Sequence, residues 1–210
     1  MIKILFFALF IKPIVFIVLG LNLQGYRQLP LKGPAVVAAN HNSHLDVLVL
    51  MSLYPLSHLK YIRPVAAADY FFKNKIWTWI ATQCIDIIPI QRTGQSVANV
   101  LESCHQALEA GQILILFPEG SRGQPEQIGQ IKKGLFYLQQ QHPQVPITPV
   151  FMRGLGKALP RGEALFVPFN CDVIIGEPLK LPADSSEFVT QMRAIFDELS
   201  KRCLGQGLLS

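Results

Sequence analysis

The chain has 210 residues, 50% of them apolar and 16% charged, which excludes a disordered chain and leaves enough apolar surface for one globular domain with a sizeable core. Its net charge of +5 is uneven: residues 1–92 hold nine basic side chains against three acidic ones, and residues 93–210 hold ten against eleven. A basic, apolar N-terminal half points to anionic lipid or phosphate partners, and no run of Lys or Arg favours a nucleic acid.

Taken in chain order, Ile4 to Leu21 form an apolar stretch broken by Lys12 and Pro13. As one helix it would be about 27 Å long, marginal for crossing a bilayer. Pro13 removes a helical hydrogen bond and Lys12 is costly at a bilayer centre, so two short helices dipping into one leaflet compete with a single span. Lys3 and Lys12 could then reach headgroups. No A-x-A cleavage pattern follows, so residues 1–24 are expected to be a retained membrane anchor, with an α/β domain over residues 25–210.

Beyond Gly25, short β-branched runs alternate with longer helical stretches, the rhythm of a mixed, largely parallel sheet flanked by helices. The runs predict strands at Ala35 to Ala39, Tyr61 to Ala66, Ile85 to Ile90, Ile113 to Phe117, Ile147 to Met152 and Val173 to Ile175. Helices are predicted at Ser43 to Ser52, Tyr70 to Ala81, Ser96 to Ala110, Lys132 to Gln141 and Ser185 to Cys203. Tyr70 to Ile80 mixes aromatics with two lysines, which suits either a helix at a bilayer interface or a core helix with a basic edge. The four cysteines (Cys84, Cys104, Cys171, Cys203) lie far apart with no C-x-x-C pair. They read as reduced thiols, placing the domain in a reducing compartment, on the cytoplasmic side of a membrane.

The densest polar cluster, Asn40-His41-Asn42-Ser43-His44-Leu45-Asp46, falls where a strand ends and a helix starts, the position at which α/β folds place their sites. On a regular helix His41 and Asp46 would be about 140° apart and could not meet. If Asn42 or Ser43 caps the helix, His41 stays on the loop and can turn back toward Asp46. A carboxylate on one ring nitrogen sets the tautomer and frees the other to take a proton from a substrate hydroxyl, so direct transfer needs no covalent nucleophile. The plainer alternative is a loop histidine beside a first-turn aspartate.

A second strand ends in Phe117-Pro118-Glu119-Gly120-Ser121-Arg122-Gly123. Its Pro and glycines force a tight loop that can aim amides and Arg122 at an anionic oxygen, although Pro-Glu-Gly-Ser is also ordinary turn chemistry. Arg92 ends a third strand and is a phosphate candidate. A metal-dependent hydrolase needs a tighter ligand set than His41, His44 and Asp46 provide. A serine hydrolase needs a glycine where Glu119 stands.

These residues resemble the glycerolipid acyltransferase family, which contains the 1-acyl-glycerol-3-phosphate acyltransferases. Asn40 to Asp46 resembles its N-H-x-x-x-x-D block and Phe117 to Arg122 its F-P-E-G-[ST]-R block. Val145-Pro146-Ile147-Thr148-Pro149-Val150 resembles its V-P-I-x-P-V block, and Arg92 stands where another block, G-x-x-F-I-x-R, ends. In that block Asp86 replaces the Gly and Pro89 the Phe. The resemblance implies that His41, helped by Asp46, deprotonates the acceptor hydroxyl of a lysophospholipid, with 1-acyl-glycerol-3-phosphate giving phosphatidic acid. Another lysolipid or an amino-lipid is the alternative acceptor, and a metal-dependent membrane hydrolase or a non-catalytic lipid-binding protein is the alternative from another class. Arg92, Glu119, Gly120, Ser121 and Arg122 would bind substrate. The implied donor is acyl-CoA or acyl-carrier protein as co-substrate, with no further cofactor and no metal, and the implied setting is membrane lipid behind an N-terminal helical motif.

Overall fold

Ala35–Ala39 is buried at every position, as a strand covered on both faces must be. This strand lies inside a mixed sheet in the computed structural model, which describes residues 1–68, 74–90, 97–121, 123, 127–158, 170–179, 182 and 184–204. The described strands are β1 (Gly20–Gln24), β2 (Ala35–Ala39), β3 (Ile62–Ala67), β4 (Ile88–Ile90), β5 (Ile113–Leu116), β6 (Ile147–Arg153) and β7 (Asn170–Ile175). Their order across the sheet is β1-β7-β6-β2-β5-β3-β4. Every pairing is parallel except β6 with β7, so β1 and β7 run against the rest.

Alternation along the strands divides the core. Ala35, Val37 and Ala39 face one apolar layer with Ile113 and Ile115, while Val36, Ala38 and Leu114 face the other. The first layer is closed by a helical run over residues 2–18 (α1) and by α2 (Leu45–Ser52). The second is closed by α4 (Val97–Glu109), α5 (Gly134–Gln141) and α7 (Ser185–Ser200). Between them in sequence, α3 (Lys75–Trp79) precedes β4, and α6 (Leu155–Ala158) follows β6.

Several boundaries differ from the sequence expectation. The helix expected from Ser43 starts at Leu45, and the one expected from Lys132 starts at Gly134. Helix α7 stops at Ser200 rather than Cys203. The strand expected from Ile85 begins at Ile88, because Ile80–Ile85 continues helically after α3 and Asp86 then turns the chain in the left-handed region, φ 65°. Residues 70–73 of the aromatic stretch, and Ser96, lie outside the described residues. Strand β1 is absent from the sequence reading: its Gly-Leu-Asn-Leu-Gln looks like the tail of the apolar run, and only pairing with β7 makes it a strand.

The N-terminal apolar run is one helix, not two. Pro13 has no N–H to give, and π turns at Phe7–Ile11 and Ile14–Val18 on either side of it let the helix continue. Phe7, Ile11, Val15 and Leu19, spaced by four, are buried in the core. Both lysines face the domain instead of headgroups: Lys3 Nζ donates to the Ile62 carbonyl at 2.8 Å and Lys12 Nζ to the Tyr54 carbonyl at 2.8 Å. The opposite face leaves Leu5, Leu9, Phe10 and Ile17 exposed, Leu9 at 65% and Ile17 at 81%. Among the described residues no helix is long and apolar enough to cross a membrane.

Asp86 ties this helix down. Its carboxylate lies 3.7 Å from Lys3 Nζ and 3.3 Å from Arg63 Nη2, and its carbonyl accepts from Arg63 Nε at 3.0 Å. Aspartate tolerates left-handed backbone better than most residues, and glycine tolerates it best. Asp86→Ala and Asp86→Gly both delete the ion pairs, but only Ala keeps a Cβ in the strained conformation. Urea denaturation should therefore find Asp86→Ala less stable than Asp86→Gly by about 1 kcal/mol. Equal stabilities would show that the backbone is not held left-handed.

Candidate active site

Strands β2 and β5 are parallel neighbours, with Ala38 opposite Leu116, so the loops leaving their C-terminal ends emerge side by side. This brings Asn40 to Asp46 against Phe117 to Glu119.

His41 lies on the loop and Asp46 in the first turn of α2. Their side chains meet, His41 Nδ1 to Asp46 Oδ2 at 2.9 Å, with the imidazole 18% exposed and the carboxylate fully buried. The same Oδ2 accepts the backbone N–H of Asn42 at 2.6 Å and of Ser43 at 2.9 Å. An oxygen already receiving two amide hydrogens is an acceptor, so the proton of the His41–Asp46 bond belongs to Nδ1, and in the neutral ring Nε2 is then the bare nitrogen. The expected Asn42 or Ser43 cap is replaced. The N-cap is His44, which makes no side-chain cap bond, and Asp46 reaches backward to satisfy the amides before the helix. Burial pushes the Asp46 carboxyl above the usual carboxylate range, and the hydrogen bonds from His41, Ser43 and Asn42 pull the other way.

The imidazole is fixed on its flat side by Phe117, whose ring stacks on it with centroids 4.1 Å apart and planes 20° from parallel. Its main chain is fixed as well. The His41 N–H donates to Glu119 Oε1 at 2.8 Å, and the His41 carbonyl accepts from Gly123 N–H at 3.2 Å. Two asparagines hold the loop to the neighbouring strand. Asn40 exchanges both amide groups with Met152, Nδ2 to its carbonyl at 2.9 Å and Oδ1 from its N–H at 2.6 Å, continuing the β2–β6 ladder past the last backbone pair. Asn42 Nδ2 donates to the same carbonyl at 2.7 Å.

Glu119 is buried at 3% exposure and its second oxygen, Oε2, accepts Gly129 N–H at 2.7 Å. Burial pushes its carboxyl up, against the two amide hydrogen bonds. Gly120 closes the turn with its N–H on the Phe117 carbonyl at 2.9 Å and φ 71°, a conformation that a side chain would strain. Ser121 is exposed beside it. Lys132 N–H donates to the Pro118 carbonyl at 2.8 Å, so the start of α5 is pinned to this turn. Arg92 and Arg122 lie outside the described residues.

The structure therefore brings His41, Asp46 and Glu119 together. Sequence reasoning passed over Asn40 and Asn42 as anchors, Phe117 as the stacking ring, and Gly123 and Gly129 as amide donors. Asn40 and Asn42 carried a signal, amides next to a catalytic candidate at a strand end. Gly129, ten residues from Glu119, carried none.

The sequence model of the acyltransferase family matches residues 20–153, well over half of the chain. The chain belongs to the acyltransferase family. It is 32% identical over 162 residues to the chloroplastic 1-acyl-sn-glycerol-3-phosphate acyltransferase LPAT1 of Arabidopsis thaliana, covering 76% of this chain and 43% of that protein. It is 28% identical over 197 residues to the 1-acyl-sn-glycerol-3-phosphate acyltransferase alpha of Mus musculus, covering 89% of this chain and 67% of the mouse protein. The chain thus spans under half the length of its plant relative. The crystal structure of the 1-acyl-sn-glycerophosphate acyltransferase PlsC of Thermotoga maritima has the same fold, with a TM-score of 0.72 at 18% identity over 93% of this chain and 79% of that one. These likenesses agree with the α/β architecture and largely parallel sheet read from the sequence.

Proposed function

We propose that this chain moves a fatty acyl group from acyl-CoA or acyl-carrier protein to the hydroxyl of a lysophospholipid, with 1-acyl-glycerol-3-phosphate as acceptor and phosphatidic acid as product. The observation that carries this reading is the His41–Asp46 contact, because in a neutral ring whose Nδ1 donates to Asp46 it is Nε2 that can act as the base. The names of the relatives support the choice of acceptor. The acceptor O–H gives its proton to Nε2 as its oxygen bonds to the thioester carbonyl. The tetrahedral adduct then expels the thiolate, the C–S bond breaks, and the proton on Nε2 goes to sulfur. Asp46 favours the imidazolium formed between the two proton transfers. Arg92 and Arg122 are proposed to hold the acceptor phosphate, Gly120 and Ser121 to line the adjoining substrate site, and no cofactor or metal takes part.

The exposed apolar face of α1, together with Ile76 and Trp79, supports attachment to one leaflet; the domain is proposed to lie on the cytoplasmic side, beside its thioester donor. Replacing Leu9, Phe10 and Ile17 together by Asp removes apolar surface that the core does not use. Co-sedimentation with vesicles containing phosphatidic acid should weaken by about tenfold or more while the thermal unfolding temperature stays put. Unchanged sedimentation would exclude this face as the attachment surface.

The function itself is tested by incubating the protein in membranes with a panel of lysolipids and isotope-labelled acyl-CoA, followed by mass spectrometry of the products. Labelled phosphatidic acid from 1-acyl-glycerol-3-phosphate is expected. Product from a different acceptor only, or label released as free fatty acid only, would overturn the assignment.

A further inference from the structure

Glu119 has the residue type of a substrate ligand but not the surroundings of one. Both carboxylate oxygens are already engaged by main chain: Oε1 takes the N–H of His41 itself and Oε2 the N–H of Gly129. The space around it is shaped to fit. A Cβ added at Gly129 would lie 2.6 Å from Oε2, and one at Gly123 would lie 3.1 Å from the same atom. Gly123, one wall of this cradle, also donates its N–H to the His41 carbonyl. The peptide group on each side of the His41 Cα is thus held, one by the carboxylate and the other by the Gly123 N–H.

We infer that Glu119 is a positioning residue, which clamps Gly129 to the main chain of His41 and sets the imidazole between Phe117 and Asp46, acting on the reaction through His41 rather than by binding the acceptor. This rests on the reading of His41 as the base. Two charge-assisted bonds, donated by two amides to one carboxylate, fix its position, and its burial at 3% exposure, rather than a shortage of lone pairs, keeps its oxygens from a substrate hydroxyl. A base held out of line by about 1 Å loses on the order of 100-fold in rate, so the clamp is visible in turnover.

Two variants of the full chain, in nanodiscs, test the clamp. Glu119→Gln keeps the shape but offers one acceptor and one N–H₂ donor to two N–H donors, so one amide loses its partner. Gly129→Ala leaves the carboxylate intact and drives a methyl group into Oε2. With 1-acyl-glycerol-3-phosphate and acyl-CoA, each should lower kcat by about 30- to 100-fold and leave the acceptor KM within about twofold. In amide NMR, Glu119→Gln should shift the His41 and Gly129 resonances together and speed their hydrogen exchange by about tenfold or more. A rise of about tenfold in acceptor KM with kcat and both amides unchanged would show instead that Glu119 binds substrate. Wild-type kcat in Gly129→Ala would also overturn the clamp. If the unaltered protein transfers no acyl group, or if His41→Ala transfers as fast as it does, the functional reading fails, and the two amide resonances still decide whether Glu119 grips them.

Discussion

Replacing His41 by Ala is expected to lower kcat for acyl transfer by about 10³-fold, while lysolipid binding and the unfolding temperature change little. The size follows from what is removed. Without Nε2 the acceptor hydroxyl must surrender its proton to water as its oxygen attacks the thioester, and the departing thiolate loses its proton donor. The fold does not need the imidazole, because the loop is held through the His41 peptide groups by Glu119 and Gly123 and by the Asn40 and Asn42 amides on Met152. Steady-state kinetics with labelled acyl-CoA separates the two effects. A variant that binds and transfers like the unaltered chain would mean that another group takes the proton.

Asp46→Asn should lower kcat by about 10²- to 10³-fold through loss of charge alone. The backbone N–H groups of Asn42 and Ser43 point at the Oδ2 position, so they select the carbonyl oxygen of the new amide and turn its N–H₂ away. That oxygen still accepts from Nδ1, so the tautomer survives, and what disappears is the negative charge that steadies the imidazolium. In the unaltered chain pH acts through the same charge. Burial holds the Asp46 carboxyl above the usual carboxylate range, so its proton returns at a higher pH than for an exposed aspartate. The ionised form is the active one, and activity should accordingly fall on acidification beginning above the ordinary Asp range. A pH–rate profile for both forms checks this. An Asn variant with unchanged kcat would remove the carboxylate from the account.

The meeting of His41 and Asp46 is legible in the sequence because a spacing of five cannot share a helix face, which forces one partner onto the loop. The cap is not legible. Ser43 has the better capping residue type, but Asp46, one turn later, can reach the Asn42 and Ser43 amides and the ring with a single oxygen. Most buried strands show as β-branched runs, whereas the short Leu21 and Leu23 alternation of β1 merges with the end of the apolar run, and pairing with β7 is what makes it a strand. The apolar run reads as a lipid-facing segment, yet four of its residues serve the core and both lysines point inward, because burial of Phe7, Ile11, Val15 and Leu19 depends on partners far along the chain. Asp86 reads as a departure from a glycine-bearing motif. In the fold it holds a left-handed turn, the conformation glycine adopts most readily, and adds a carboxylate that joins Lys3 to Arg63.

Proton transfer to His41 requires that Nε2 be its bare nitrogen. Heteronuclear NMR of the ring nitrogens in the intact protein, at neutral pH and without substrate, reads this directly. The proton should sit on Nδ1, facing Asp46, with Nε2 unprotonated; a proton found on Nε2 would leave His41 unable to accept one from the acceptor and would contradict the mechanism.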